Sequence, residues 1–156
     1  MRVREAGPED WPAIAALLAE LGRPDALGTP QEEELRRVFL GYLEREDVVA
    51  LVADDDGRVV GFCDLELRVR LNFARPQAWI PDLVVAETAR SKGAGGALIR
   101  RAEEISRHLG AWGMSLESAT WRERAHSFYE REGWAYTGKS FTKPLTDRPW
   151  PPPPPG

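Results

Sequence analysis

Apolar residues recur along this chain with two periods, and the places where the period changes mark its elements. Residues 2–5 read as a short strand leading into Gly7-Pro8-Glu9-Asp10. Ile14, Leu17, Leu18 and Leu21 then fall at i, i+3, i+4 and i+7, one stripe of a helix that Gly22 is placed to end. Pro12 lies near its start, and residues 23–28 read as loop. Thr29-Pro30-Gln31-Glu32 predicts a second helix, with Thr29 as N-cap, Pro30 at the first helical position and Glu32 closing a capping box. Leu35, Val38, Phe39 and Tyr42 supply its apolar face. From the residues alone, these helices read as cover for a sheet.

The period then drops to two. Residues 48–53 and 58–70 read as strands joined by Asp54-Asp55-Asp56-Gly57, a hairpin turn in which Gly57 takes positive φ. In the second strand Cys63, Leu65, Leu67 and Val69 alternate with Asp64, Glu66, Arg68 and Arg70, giving one apolar and one charged face. Asp64 and Glu66 either line a pocket or are solvated. Ile80, Leu83, Val84 and Val85 form a nearly continuous apolar run, the pattern of a strand buried on both faces, with a bulge expected at Pro81. Leu98, Ala102, Ile105 and Leu109 give a helix stripe that Gly110 ends. Residues 112–117 read as a strand with Met114 and Leu116 inward, and residues 125–134 as a short helix closed by glycine.

Strands interleaved with helices in this way predict an α/β domain. Its 156 residues, 42% hydrophobic and 29% charged, suit one domain with one core, expected over residues 1–146. The remainder, 147–156, contains five consecutive prolines and is expected to be an extended, polyproline-like tail. With 21 basic and 25 acidic residues the net charge is −4, which offers no footprint for nucleic acid. There is no run of about 18 apolar residues and no basic-then-apolar leader, so neither a membrane span nor a secretion signal is expected. The single cysteine, Cys63, fits a reducing, cytoplasmic setting and, within the apolar set of its strand, reads as a small hydrophobe. The six tryptophans are scattered and read as packing residues.

Candidate chemistry concentrates after the apolar run of residues 80–85. There Arg90-Ser91-Lys92-Gly93-Ala94-Gly95-Gly96 leaves main-chain N–H groups uncovered at a helix start, an anion site with Arg90 and Lys92 at its rim. Neither the P-loop pattern nor the dinucleotide fingerprint is present.

Arg-x-x-Gly-x-Gly directly after Asp82-Leu83-Val84-Val85 resembles the pyrophosphate-binding motif of the GCN5-related N-acetyltransferase (GNAT) superfamily. About 30 residues on, Ala125-His126-Ser127-Phe128-Tyr129-Glu130-Arg131-Glu132-Gly133-Trp134 is similar to that superfamily's second coenzyme A motif. The resemblance implies a GNAT-like acyl-coenzyme A N-acyltransferase fold: a central mixed, mostly antiparallel sheet of six to seven strands flanked by about four helices, splayed beside residues 80–85 to take the cofactor. It implies acetyl-coenzyme A as cosubstrate and no metal. Leu83, Val84, Val85, Arg90, Ser91, Lys92, Gly93, Ala94, Gly95, Gly96 and Phe128 become the expected cofactor contacts. Members often carry asparagine three residues before the motif alanine; here that position is Arg122, and Thr120 to Glu123 reads as a capping box.

The reaction so implied moves the acetyl group to a primary amine by direct attack in a ternary complex. An alkylammonium at about 10.4 and a carboxylate at about 3.9 make direct proton transfer to Asp82 uphill by about 9 kcal/mol, so Asp82 is expected to anchor the ammonium or end a water relay. Capping of the bulge at Pro81 is the alternative role. Tyr129, at about 10 against a thiol at about 8.5, faces only about 2 kcal/mol and is the expected donor to the departing thiolate. By resemblance the N–H of Val84 or Val85 polarises the thioester carbonyl. A small-molecule amine is the expected acceptor and a homodimer the expected assembly. A protein or peptide amine, or a non-catalytic acyl-coenzyme A sensor, stands as the alternative.

Overall fold

A computed structural model describes residues 1–147; the proline-rich tail expected beyond lies outside the described residues. The chain forms two compact units, Met1–Leu116 and a second that begins at Glu117. The first holds six strands and three α-helices: β1 (Arg2–Glu5), α1 (Trp11–Glu20), α2 (Glu32–Leu43), β2 (Val48–Asp55), β3 (Arg58–Arg68), β4 (Gln77–Ile80), β5 (Leu83–Val85), α3 (Ala94–His108) and β6 (Met114–Leu116). The second holds α4 (Glu123–Arg131).

The strand order is β1-β2-β3-β4-β6, with β5 also paired to β3; all ladders are antiparallel except β4 with β6. Six strands in a mixed, mostly antiparallel sheet and four α-helices match the expected fold class. The β2–β3 hairpin turns on Asp56 and Gly57 at φ 51° and 86°, the paired left-handed geometry that suits the sheet's twist.

Alternation along β3 sorts its residues between two covered faces. Phe62, with Ala50, Val52 and Val84, packs in one core cluster with Trp11, Ile14, Leu17 and Phe39 of α1 and α2. On the opposite face Leu51, Cys63, Leu65 and Ile80 are buried, as are Leu98, Ile99 and Ala102 of α3. There α3 approaches so closely that a Cβ on Gly61 would lie 3.0 Å from Leu98 Cδ1. The face that begins with Phe62 continues through Asp64 and Glu66, so these carboxylates lie on the side that α1 and α2 cover.

Several local expectations are corrected. Helix α2 begins at Glu32 rather than Pro30: the Thr29 hydroxyl donates to the Ala26 carbonyl at 2.8 Å, and the Glu32 carboxylate accepts from the Gly28 N–H at 2.9 Å, so the predicted box is spent on the preceding turn. Val38, placed on the apolar face of α2, is 64% exposed, because contact with the sheet core falls on Phe39. Leu109 of the α3 stripe is 42% exposed; it lies just past the helix end, and the buried line runs through Ile99 and Ser106 instead. Val69 is exposed because β3 ends at Arg68.

Candidate active site

The glycine turn is built by backbone conformation rather than by side chains. After β5 a 3-10 turn, Glu87–Ala89, leads into Ser91 at φ 71° and Gly93 at φ 85°, two left-handed residues that bend the chain into α3. Gly93 is the N-cap and has no side chain with which to cap the helix, so the N–H groups of Ala94, Gly95 and Gly96 do not receive the N-cap side-chain bond of an ordinary helix start. They converge at the positive end of a 15-residue helix, with Arg90 and Lys92 exposed beside them. This arrangement fits a diphosphate.

A bulge within one strand is the expectation at Pro81; instead the run is interrupted there, with β4 ending at Ile80 and β5 starting at Leu83. The ladder between β4 and β6 ends at Ile80↔Leu116, and β5 pairs with β3 alone among the described residues. The Asp64 N–H donates to the Asp82 carbonyl at 3.2 Å and the Ala86 N–H to the Val60 carbonyl at 2.9 Å. Antiparallel alternation therefore points the Val84 N–H toward β3 and those of Leu83 and Val85 away from it.

Beside this break lies a cluster of charged groups. The Asp82 N–H donates to Asp64 Oδ1 at 2.9 Å, and the Tyr42 hydroxyl donates to Asp64 Oδ2 at 2.5 Å. The Asp82 carboxylate, 11% exposed, is paired with the Arg23 guanidinium from the loop after α1. Arg45, following α2, bridges Glu66 at 2.8 Å and Asp47 at 2.7 Å. Cys63 is fully buried, and burial pushes its thiol up, which leaves no thiolate to act as an acyl-accepting nucleophile.

Burial, and secondarily the charge of Asp82, raises the Asp64 carboxyl to about 7, against the hydrogen bonds from Tyr42 and the Asp82 N–H. Burial also raises Asp82, with Arg23 opposing it. A carboxylate near 7 faces about 5 kcal/mol to an alkylammonium rather than about 9. Asp64, however, is only 3% exposed, with both oxygens engaged, whereas Asp82 reaches the surface.

Of the predicted residues, Asp64 and Glu66 both enter this cluster rather than a solvated face. Bulge capping, weighed for Asp82, falls to the Asp64 side chain. Tyr42, Arg23 and Arg45 were not singled out by sequence. The available signal was that Tyr42 is the only hydroxyl in the apolar stripe of α2.

In the second unit, Phe128 and Tyr129 lie edge to face with centroids 5.4 Å apart, and Tyr129 is 6.2 Å from Trp134. The Trp134 N–H donates to the Tyr129 carbonyl at 2.9 Å, closing the helix over Gly133 at φ 88°. Arg122 is the N-cap of α4 without a side-chain bond, so the capping box expected from Thr120 and Glu123 does not form.

Residues 11–134 match the model of the Acetyltransferase (GNAT) family. The chain is 32% identical to the aminoalkylphosphonate N-acetyltransferase of Salmonella typhimurium, over 92% of this chain and 90% of that one. It is 24% identical to the aminoglycoside N(6')-acetyltransferase type 1 of Klebsiella aerogenes, over 78% and 83% respectively. The crystal structure of a Trypanosoma brucei acetyltransferase superposes with a TM-score of 0.78 at 26% identity, covering 92% of this chain and 99% of that one.

Proposed function

The chain belongs to the acetyltransferase (GNAT) family and is an acetyl-coenzyme A-dependent N-acetyltransferase, and from that we propose that its acceptor is a primary amine of a small molecule, attacked directly in a ternary complex. The observation that carries the acceptor reading is the Asp82 carboxylate, partly exposed beside the edge of β5 that no described strand pairs. A carboxylate there attracts an ammonium, and Arg23 tempers its charge. Relatives named for an aminoalkylphosphonate and an aminoglycoside support a small amine. Residues 1–146 then serve as one acetyltransferase domain, as the span of the family match supports.

The proposed roles follow from the chemistry each group offers. The N–H groups of Gly93, Ala94, Gly95 and Gly96, with Arg90, Ser91 and Lys92, hold the diphosphate of coenzyme A, and Phe128 lines its thiol arm. Between Val84 and Val85, the outward N–H of Val85 is the better donor to the thioester oxygen, and Leu83 adds a second outward N–H on the same edge. The amine nitrogen bonds to the acetyl carbon while the carbon–sulfur bond breaks. Asp82 anchors the ammonium and passes one proton to water before attack; Tyr129 protonates the departing thiolate and is reprotonated through solvent as the new amide nitrogen gives up its second proton.

Thiol release from acetyl-coenzyme A across aminoalkylphosphonates, aminoglycosides, polyamines, amino acids and short peptides tests this reading. Stimulation by a small amine, weakened in Asp82→Asn, supports it. Stimulation by peptides alone overturns the small-molecule acceptor, and silence across the panel with intact acetyl-coenzyme A binding points to a sensor.

A further inference from the structure

Pro81 and Asp82 form the break between β4 and β5, and Pro81 has no N–H, so the Asp82 N–H is the one main-chain donor within it. In a continuous ladder that N–H would return the bond that the Asp64 N–H gives to the Asp82 carbonyl. It donates instead to the Asp64 side chain at 2.9 Å, so a carboxylate replaces a ladder carbonyl. The other oxygen of the same carboxylate holds the Tyr42 hydroxyl at 2.5 Å. One buried side chain thus bridges α2 and the break, and no other hydrogen-bonded pair joins these two elements among the described residues. Burying a carboxyl at 3% exposure is costly unless its bonds are needed.

On the reading of this site as an acetyl-transfer site, we propose that Asp64 is a positioning residue: its carboxylate fixes the Pro81–Asp82 break, directs the N–H groups of Leu83 and Val85 outward, and ties that setting to α2. Asp64 touches no substrate. It acts through the backbone that follows Asp82, where a displacement of about 1 Å costs on the order of 100-fold in rate.

The test compares wild type with Asp64→Ala and Asp64→Asn. An asparagine carbonyl still accepts from the Asp82 N–H but cannot ionise, so it separates positioning from proton transfer. Asp64→Ala is expected to speed hydrogen exchange of the Asp82 amide about tenfold, as loss of its one acceptor implies. It should lower kcat by roughly 100-fold while leaving the acetyl-coenzyme A Kd nearly unchanged, because the glycine turn is untouched. Asp64→Asn is expected to restore slow exchange and most of kcat. Wild-type exchange in Asp64→Ala, or a kcat in Asp64→Asn as low as in Asp64→Ala, overturns the proposal. Should Asp64→Ala fail to fold, Asp64→Leu, which fills similar space without an acceptor, makes the same comparison. If the wild type acetylates no amine, the acetyl-transfer reading falls, and the exchange comparison still decides whether Asp64 holds the break.

Discussion

The Tyr42 hydroxyl and Asp64 Oδ2, 22 residues apart in the chain, are joined at 2.5 Å, a charge-assisted bond between a helix and the strand it covers. Burial and the neighbouring Asp64 raise the Tyr42 phenol above its usual range, so it remains a donor at any physiological pH. Tyr42→Phe leaves the buried carboxylate one partner short. A loss of about 1–3 kcal/mol in urea unfolding is expected, and an unchanged midpoint would show that the bond contributes nothing.

Stability should depend on pH through Asp64. Its folded carboxyl titrates near 7 against about 3.9 in the unfolded chain, so between these values the native state holds more protons. Stability from this group is complete below about 4 and is lost as pH rises toward 7. Asp82, also raised, acts in the same direction. Asp64→Asn should therefore be relatively more stable at pH 8 than at pH 5 when each is compared with wild type. Urea midpoints at the two pH values measure this, and a constant difference would place the Asp64 titration outside the window.

At the acid end the sign reverses. Arg4 donates to Asp10 at 2.8 and 2.9 Å and to Asp54 at 2.9 Å, and these bonds hold both carboxyls below their usual range. Their contribution is present above about 4 and lost as pH falls below it. Arg4→Met should make unfolding midpoints less sensitive to pH below 4, while lowering stability at neutral pH.

Gly93, at φ 85°, has nothing within 4 Å of where a Cβ would sit, so a substitution there is opposed by conformation and not by neighbours. Gly93→Val should cost at least 1–2 kcal/mol, the usual order for a left-handed residue with a side chain. Acetyl-coenzyme A binding by calorimetry should disappear while the circular dichroism spectrum persists. Retained affinity would remove the turn from the diphosphate site.

For Tyr129, the proposed thiolate donor, Tyr129→Phe should lower kcat by about 100-fold or more with a Kd for acetyl-coenzyme A within a few-fold of wild type. Pre-steady-state thiol release resolves the two, and a wild-type kcat would assign the proton to water.

The sequence by itself determined what local spacing determines. The stripe Ile14, Leu17, Leu18 specified α1 because a 3.6-residue period has one buried solution, and Asp56-Gly57 specified the hairpin because few residues tolerate positive φ. The glycine turn was legible for the same reason: Gly93 needs no distant partner to take φ 85°. Capping boxes at Thr29 and Thr120 were local signals too, yet the turn before α2 used the Thr29 and Glu32 groups differently, and α4 took Arg122 as its N-cap without a side-chain bond. Alternation along β3 separated Asp64 from Cys63 but not a solvated face from a covered one, since that depends on what packs above the strand. Only the tertiary structure placed Tyr42 on Asp64 and Arg23 on Asp82, 22 and 59 residues apart. Periodicity encodes which way a side chain points along its own element; its partner, its burial and hence its proton affinity depend on where another part of the chain arrives.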